Sequence, residues 1–436
     1  MAVVIAGWVI GYRAIDFWGA FLIPAILIAI AFPIIHLFAS RTDSSLENLY
    51  LLALAAFVPV TYLKYLSNNY VYNGADSTTY LVAGKAIASN FWDRDASLAS
   101  LIPKGIGTRF TEGLTGIVQV ITGRSDLGSF MVFSMFAFVG AVCLVEAARL
   151  GLGDRINVRG YAMLVLFLPS MLFWPAGVGK DSWMLLGVGF LALGAAKVLS
   201  GRQRIDSVFW LGLGVVTTAA IRPHITLLML GSFGLALALR RRKIRNTMEL
   251  FGMLLLVLVI VGLTVFASSR AVELIPTLKD GVSGAQVQLD KTATNTLIGG
   301  SQVDSFRSNS PAQYPTALFT VLFRPTLLEA SSPQSAMSAI ESTALLVFLF
   351  LRRRNIMEGL RRLRTLPYLL MALCFCALFA AIWSNVGNLG IIVRQRTMIL
   401  PFLLLFPMLR LPSYFRREEV PEGGPEKAVK VPAPRS

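Results

Sequence analysis

Long runs of apolar residues, separated by short polar stretches, dominate this chain. The runs predict helices, because an open strand in a bilayer leaves its backbone amides unpaired and the runs lack the alternation of a barrel strand. With about 20 apolar residues needed for each crossing, the sequence predicts an all-α, polytopic transmembrane helical bundle of about 11 spans. The runs lie near residues 18–39, 48–66, 127–148, 160–174, 182–199, 207–220, 225–239, 248–267, 336–351, 366–384 and 397–410.

Basic residues cluster in short loops between these runs. Alternating the spans puts all the clusters on one side of the membrane, and the positive-inside rule assigns that side to the cytoplasm. The N-terminus is then predicted to lie outside and the C-terminus in the cytoplasm. The clusters lie at 149–159, 202–204, 240–245, 352–364 and 416–417.

The remaining segments define the domain organisation. Residues 1–410 form one predicted transmembrane domain, and its first ten residues lack the basic leader of a signal peptide. Two long extracytoplasmic loops, at about 67–126 and 267–335, are expected to carry short surface helices. The tail at 411–436 is rich in Pro, Gly, Glu and Lys, which predicts a disordered cytoplasmic segment.

Composition supports the membrane interpretation. Hydrophobic residues make up 55% of the chain and charged residues only 15%, too few to cover a soluble domain of this length. The net charge of +16 would suggest nucleic acid in a soluble protein. Here the basic residues lie between apolar runs, which predicts anionic membrane lipids as partners and no nucleic acid. The three cysteines all lie in apolar runs and indicate packing residues, not a metal cluster.

Polar constellations at span ends carry the main functional indication. A charged residue at a helix centre costs about 2.5–3.5 kcal/mol on insertion scales, so charges at span ends need a reason. All five constellations fall on the predicted extracytoplasmic face, whereas chance would scatter them over both. They lie at 74–80, 174–181, 222–224, 323–329 and 385–396.

Acidic residues of the first loop suggest two kinds of chemistry. Asp76, one turn before Tyr80, is a candidate catalytic base for an acceptor hydroxyl, and equally a candidate helix N-cap. Asp93 and Asp95 flank Arg94 with a spacing found in some Mg²⁺ or Mn²⁺ sites, although a solvated loop is the favoured interpretation. No metal ligand is therefore assigned, and a divalent cation is the only cofactor that the sequence suggests.

Candidate phosphate-binding residues follow at the other span ends. The stretch 177–182 fails the Walker pattern, but its glycines predict a kinked helix start that can hold an anion, with Lys180 beside Asp181. A surface pair of these two residues is the alternative. Arg222 is suited to clamp a phosphate, and His224 either shuttles a proton or is structural.

The last two constellations are rich in arginine. Arg324 and Glu329 either bind substrate or form a pair that staples a turn broken by prolines. Arg394 and Arg396 are two residues apart and cannot share a helix face, so one is predicted to face the site and the other the lipid headgroups. Arg324 with Arg394 or Arg396 is the favoured pair for binding a diphosphate.

Several of these stretches resemble known membrane enzymes. Residues 74–80 resemble the acidic loop of GT-C glycosyltransferases, which take sugars from polyprenyl-phosphate carriers on the outer face of the membrane. Residues 172–181, 323–329 and 388–402 are similar to segments of membrane proteins linked to bacterial exopolysaccharide synthesis. The chain departs from GT-C enzymes in having an extra span before the acidic loop and no paired acid beside Asp76.

The resemblance implies a glycosyltransferase of the bacterial inner membrane, acting in cell-surface polysaccharide or glycolipid assembly. Its partners would be a polyprenyl-linked sugar donor and a glycan or lipid-linked acceptor, with Asp76 as base and the basic residues on the phosphate. A Wzy-like polysaccharide polymerase or an O-antigen-type ligase is an alternative with the same kind of site. A lipid or solute transporter and a structural partner in a polysaccharide complex are further alternatives.

Overall fold

A computed structural model describes most of the chain, and within the described residues every regular element is a helix. The described residues are 16, 18–71, 76–93, 97, 101–201, 205–240, 247–295, 313–330 and 332–411. The predictions for 1–10, 74–75, 94–95, 202–204, 241–245 and the tail at 412–436 lie outside them.

The helices of the first half are α1 (Ile23–Thr42), α2 (Glu47–Leu66), α3 (Asp76–Trp92), α4 (Thr108–Ile121), α5 (Asp126–Leu152), α6 (Val158–Phe167), α7 (Pro169–Phe173), α8 (Lys180–Leu199) and α9 (Ile205–Ala219). Those of the second half are α10 (Pro223–Ala238), α11 (Thr247–Leu274), α12 (Gly281–Asn295), α13 (Tyr314–Phe323), α14 (Pro333–Leu351), α15 (Arg353–Arg361), α16 (Pro367–Trp383), α17 (Leu389–Arg396) and α18 (Leu400–Leu403).

Five helical segments of the described chain are long and apolar enough to cross a membrane. A sixth follows if α14 and α15, bent by 65° at their junction, count as one span. The all-helical membrane architecture therefore agrees with the sequence, whereas the eleven predicted spans are not confirmed. The five segments are Trp18–Thr42, Ser44–Val71, Asp126–Arg155, Lys180–Leu199 and Leu254–Leu274.

The other apolar runs form shorter helices than the sequence suggested. The 16 residues of α10 extend about 24 Å, less than the roughly 30 Å of a hydrocarbon core. The run at 160–174 is divided, because Pro169 disfavours helical geometry at Leu168, where α6 ends and α7 begins. These shorter helices are the reason that the eleven predicted crossings are not confirmed.

Close contact between α5, α8 and α9 builds the core. A Cβ atom added to Gly189 of α8 would lie 2.4 Å from the carbonyl oxygen of Gly140 in α5. A Cβ on Gly140 would lie equally close, at 2.4 Å, to the carbonyl oxygen of Leu185. On the other side of α8, a Cβ on Gly214 would meet the amide nitrogen of Leu191 at 2.4 Å. Small residues thus let these helix backbones approach, as is common between membrane helices.

Substituting Gly189 with alanine is expected to destabilise the protein by about 1–3 kcal/mol, because the new methyl overlaps the α5 backbone. Gly212 of α9 is the matched control, since a Cβ there meets no atom within 4 Å. Alanine at that position should be neutral or slightly stabilising. Unfolding of the purified variants in detergent measures the difference, and equal stability of the two variants would contradict the proposed packing.

The loops fall into two groups, one near each end of α5. Near its C-terminal end, the amide of Arg410 donates to the carbonyl of Arg155 at 2.8 Å, and Asn355 Nδ2 donates to the carbonyl of Leu409 at 2.6 Å. The basic segments 149–159 and 352–364 therefore share one end of the bundle, as alternation of the spans predicts. At the N-terminal end, Asp126 accepts a hydrogen bond from Lys85 of α3 at 2.6 Å. The membrane side that each end faces stays a prediction.

Candidate functional site

A cavity of about 240 Å³ lies at the end of the bundle where α5 begins. Its position follows from Phe130 in the first turns of α5, whose ring contacts the loop that leads into α8. The cavity is lined by the first turns of α3, α8 and α17, and by Lys64 from the last turn of α2. Segments that are far apart in sequence therefore form one pocket.

Three helix N-termini face this cavity. Ser77 of α3, Gly179 before α8 and Gly390 of α17 all line it. At α17 the side chain of Asn388 caps the helix, with Oδ1 accepting from the amides of Gly390 at 2.9 Å and Ile391 at 3.3 Å. The helix dipole places a partial positive charge at each N-terminus, so their convergence favours an anionic ligand.

Asp181 is the buried centre of the charged residues, with only 6% of its surface exposed. One carboxylate oxygen, Oδ2, accepts from Arg394 Nε at 3.0 Å. The other, Oδ1, accepts from Arg222 Nη1 and Nη2, both at 3.3 Å. The sequence left a Lys180–Asp181 surface pair open as the alternative to phosphate contact; in the structure the buried Asp181 instead holds two arginines. A buried acid that is paired and hydrogen-bonded in this way is a strong local constraint.

Arg394 joins this buried group to the candidate base. Its Nη1 lies 3.5 Å from Oδ2 of Asp76, whose side chain is 67% exposed at the start of α3. The negative charge of Asp181, followed by that of Asp76, raises the pKa of Arg394 above its ordinary value although burial opposes the shift. Arg394 therefore remains a cation and fixes both carboxylates at the cavity.

Tyr80, one turn after Asp76, is buried beside the site. Burial, and then the charge of Asp76, raise the pKa of the Tyr80 phenol to about 12. The phenol therefore stays protonated at neutral pH, which leaves the Asp76 carboxylate as the basic group on this face of α3. Ser77 in the same turn accepts a hydrogen bond from Asn68 Nδ2 at 2.9 Å, which anchors α3 to the end of the preceding span.

Lys180 and His224 are placed differently from what the sequence suggested. Lys180 Nζ donates to Thr108 Oγ1 at 2.8 Å, so this lysine ties α8 to the start of α4. Both ring nitrogens of His224 are buried without a hydrogen-bond partner among the described residues, and the ring packs edge-on against Trp383. Hydrogen bonding therefore does not connect His224 to the Asp181 group, and the contacts match its structural interpretation.

Arg324 and Glu329 bind each other outside the cavity lining. Arg324 Nε donates to Glu329 Oε1 at 2.7 Å, while Glu329 Oε2 accepts from the amide of Thr326 at 2.8 Å. This arrangement is the local turn staple that the sequence left open as an alternative. Arg394 lines the cavity and Arg324 does not, so joint binding of a diphosphate by Arg324 with Arg394 or Arg396 stays a prediction.

The Arg324–Glu329 pair predicts a pH dependence of stability. Burial raises the pKa of Glu329, but hydrogen bonds from Arg324 and Thr326 outweigh it and lower the pKa below the ordinary 4.5. The pair therefore contributes its full share of the free energy of unfolding above pH 4.5. It loses this contribution as the pH falls through the folded-state pKa of Glu329. The expected contribution is at most about 1 kcal/mol, because the pair is partly exposed.

Thermal unfolding of Glu329→Gln and the unsubstituted protein, measured above and below pH 4.5, checks this expectation. The stability difference should be present at neutral pH and vanish in acid. Glu273→Gln, which removes an exposed acid paired with Arg270, is the control for a general effect of charge. A difference for Glu329→Gln that stays constant with pH would contradict the assignment.

Arg396 does not reach lipid headgroups, which corrects that part of the sequence prediction. It is only 1% exposed, and its Nη1 donates to the carbonyl of Leu322 at 2.6 Å and to Ser342 Oγ at 2.9 Å. The prediction that Arg394 and Arg396 point in different directions agrees with these contacts. Arg396 ties α17 to the end of α13 and to α14, and thereby supports the helix that carries Arg394.

Sequence analysis missed Lys64, which lines the cavity from α2. A single lysine near the end of an apolar run was available as a signal, because ionisable residues in spans usually have a function. Lysines near span ends commonly extend to water, so the sequence alone gives this residue no distinct role. Among the described residues, no group of three or more metal-ligating side chains is found.

Comparisons with known proteins add no relative: no family model, curated protein or solved structure matches this chain.

Proposed function

We propose that this protein is a membrane glycosyltransferase that uses a polyprenyl-linked sugar donor at the end of the bundle where the cavity lies. The observation that carries the proposal is the meeting of an exposed acid, Asp76, with the buried cations around Asp181 in one cavity. An exposed carboxylate is suited to accept a proton from a hydroxyl. The cations and the helix N-termini are suited to a phosphate.

The charges around the cavity favour an anionic ligand. Lys64 and Arg394 line the cavity with Asp76 and Asp181, and Arg222 contacts the Asp181 carboxylate from outside the lining. Both oxygens of Asp181 already accept hydrogen bonds from arginines. Arg394 and the three helix N-termini are therefore fixed at the cavity in advance, which is the condition for stabilising charge that develops on a leaving group.

The reaction follows from these positions. The acceptor hydroxyl oxygen forms a bond to the anomeric carbon of the donor sugar as its proton passes to the Asp76 carboxylate. The bond between the anomeric carbon and the phosphate oxygen breaks, and the phosphate retains the electron pair. Arg394 then stabilises the polyprenyl phosphate product. Asp181 touches no reacting atom in this scheme; it positions the two arginines.

Turnover by the purified protein tests the proposal. The full chain in lipid nanodiscs is incubated with a polyprenyl-linked radiolabelled sugar and a glycan acceptor, and glycosylated product and released polyprenyl phosphate are measured together. Equal amounts of both are expected. The protein is also reconstituted into sealed vesicles. Movement of the labelled donor across the vesicle membrane without product formation would favour a transporter and overturn the proposal.

The same assay distinguishes transfer of a single sugar from polymerisation. A Wzy-like polymerase would extend a lipid-linked chain and give a ladder of products, whereas a single-sugar transferase or an O-antigen-type ligase gives one product. Both outcomes use the same cavity, and both are consistent with a carboxylate beside a phosphate-binding group.

A further inference from the structure

A short basic helix turns away from the membrane helix that precedes it. α15 begins at Arg353, directly after α14 ends, and the two helices are bent by 65° at their junction. The nine residues of α15 extend about 14 Å, roughly half the thickness of a hydrocarbon core. The bend therefore directs α15 towards the plane of the membrane, and its length is too small for a crossing of its own.

One face of α15 is packed against the protein. Asn355 Nδ2 donates to the carbonyl of Leu409 at 2.6 Å. A Cβ added to Gly359, one turn later, would lie 2.7 Å from Cδ1 of Leu409 and 3.1 Å from the ring of Phe406. Asn355 and Gly359 are four residues apart and share a helix face. This face fixes α15 to the bundle, so the opposite face points away from it.

The opposite face combines arginines with apolar side chains. Met357 is 51% exposed and Leu360 is exposed as well. Arg353, Arg354 and Arg361 are also exposed. Each of these residues lies three or four positions from Met357, so all of them share one face of the helix. A face that joins arginines to large apolar side chains is typical of helices that lie in the membrane interface.

The junction with α14 has the composition of a membrane boundary. The Arg353 guanidinium lies over the ring of Phe350, with its carbon 4.7 Å from the ring centroid. Arg353 Nη1 also donates to the carbonyl of Phe350 at 3.2 Å, at the end of α14. An aromatic ring and a cation at a span end are common where hydrocarbon gives way to headgroups. The start of α15 is therefore expected at headgroup level.

Positive charge is in excess on this segment. Residues 352–364 contain six arginines and one acid, Glu358, which pairs with Arg362. Among the described residues, none of the other five arginines forms an ion pair with a carboxylate. A soluble polyanion would neutralise these charges but would leave Met357 and Leu360 in water. A surface of anionic lipid satisfies both halves of the face, with phosphate for the arginines and acyl chains for the apolar residues.

We propose that α15 lies in the membrane surface and binds anionic phospholipid headgroups through Arg353, Arg354 and Arg361, with Met357 and Leu360 inserted beside the acyl chains. The sequence predicted anionic lipids as partners of the basic clusters in general, and this proposal assigns them to one face of one helix. It goes beyond the proposed function, because α15 lies near the C-terminal end of α5 and the cavity lies at the other end.

Titration of phosphatidylglycerol into the full chain in detergent, with bound lipid counted by native mass spectrometry, tests this proposal. Phosphatidylcholine is the comparison lipid, because its headgroup carries a phosphate but no net charge. Arg354→Gln with Arg361→Gln should weaken phosphatidylglycerol binding about thirtyfold, at about fivefold for each arginine near an anionic surface, and leave phosphatidylcholine binding unchanged. Arg155→Gln with Arg159→Gln is the matched control, since it removes two exposed arginines from the same end of the bundle.

Two results of the titration would overturn the proposal. The first is phosphatidylglycerol binding at the unsubstituted level by the α15 double variant. The second is an equal loss in the two double variants, which would show a general effect of charge. Unfolding temperatures in detergent alone should agree between the two double variants, because all four side chains are exposed.

A photoreactive phosphatidylglycerol, with its diazirine next to the glycerol, tests the insertion of α15 without any variant. Crosslinks to the full chain in nanodiscs are expected at 357–360. Crosslinks at 340–351 without any at 357–360 would overturn the insertion and leave this face to a protein partner. These outcomes do not depend on glycosyl transfer, so the proposed function and this inference can fail separately.

Discussion

Replacing Asp181 with asparagine is expected to destabilise the protein by about 3–5 kcal/mol, the usual effect of removing one partner from a buried ion pair. The substitution keeps the size of the side chain and removes only its charge. Arg222 and the partly buried Arg394 would then remain near one another without the carboxylate that both contact now. Glycosyl transfer should be lost as well, because Arg394 would no longer be fixed at the cavity.

Unfolding of the purified variant in detergent measures this effect. Asp206→Asn is the control, because Asp206 pairs with Lys197 at a site where the acid is 46% exposed, and its loss should change stability by about 0–1 kcal/mol. A double variant, Asp181→Asn with Arg222→Gln, should recover part of the lost stability, since it removes one of the two unbalanced charges. Equal stability of Asp181→Asn and Asp206→Asn would show that the buried group does not constrain the site.

The general location of the site could be predicted from the sequence. Asp76, Asp181, Arg222 and Arg394 were each selected because they stand at the ends of apolar runs, and the structure brings these four together. The reasoning succeeds because burying a charge is costly, so charges retained at span ends tend to share a purpose. Periodicity and length also predicted the all-helical membrane architecture.

The pairing of these residues could not be predicted in the same way. The sequence offered only its neighbour Lys180 as an alternative partner for Asp181, yet its partners are 41 and 213 residues away along the chain. Lys180 donates to Thr108 of α4, a partner that only tertiary contacts supply, whereas Arg324 binds Glu329 within its own turn. Charge alone does not choose among several nearby arginines, whereas helix packing does.

Lys64 shows a different limit of sequence reasoning. In the sequence it is one lysine near the end of a span, a position where extension to water is the usual outcome. Its direction is decided by the rings of Phe173 and Trp174, which lie more than one hundred residues further along the chain. The unconfirmed number of spans has a related cause, since breaks within apolar runs depend on packing as well as composition.

Replacing Asp76 with asparagine is expected to lower glycosyl transfer by about 10²- to 10⁴-fold, the usual contribution of a general base. Asparagine caps a helix about as well as aspartate does, so the start of α3 should be preserved. The substitution therefore separates the two roles that the sequence left open for this residue. A capping role predicts nearly normal transfer in Asp76→Asn, whereas a catalytic role predicts loss of transfer with little change in stability.

Rates of sugar transfer and unfolding temperatures, measured on the same preparations, decide between these roles. Asp93→Asn is the matched control, because Asp93 is an exposed acid just after the other end of α3. Binding of undecaprenyl phosphate should persist in Asp76→Asn, since Arg394 keeps its contact with Asp181. Normal transfer in Asp76→Asn would remove Asp76 as the base, and the exposed carboxylate would then be only a partner of Arg394. Lost transfer with binding intact would place the proton-accepting step at the first turn of α3.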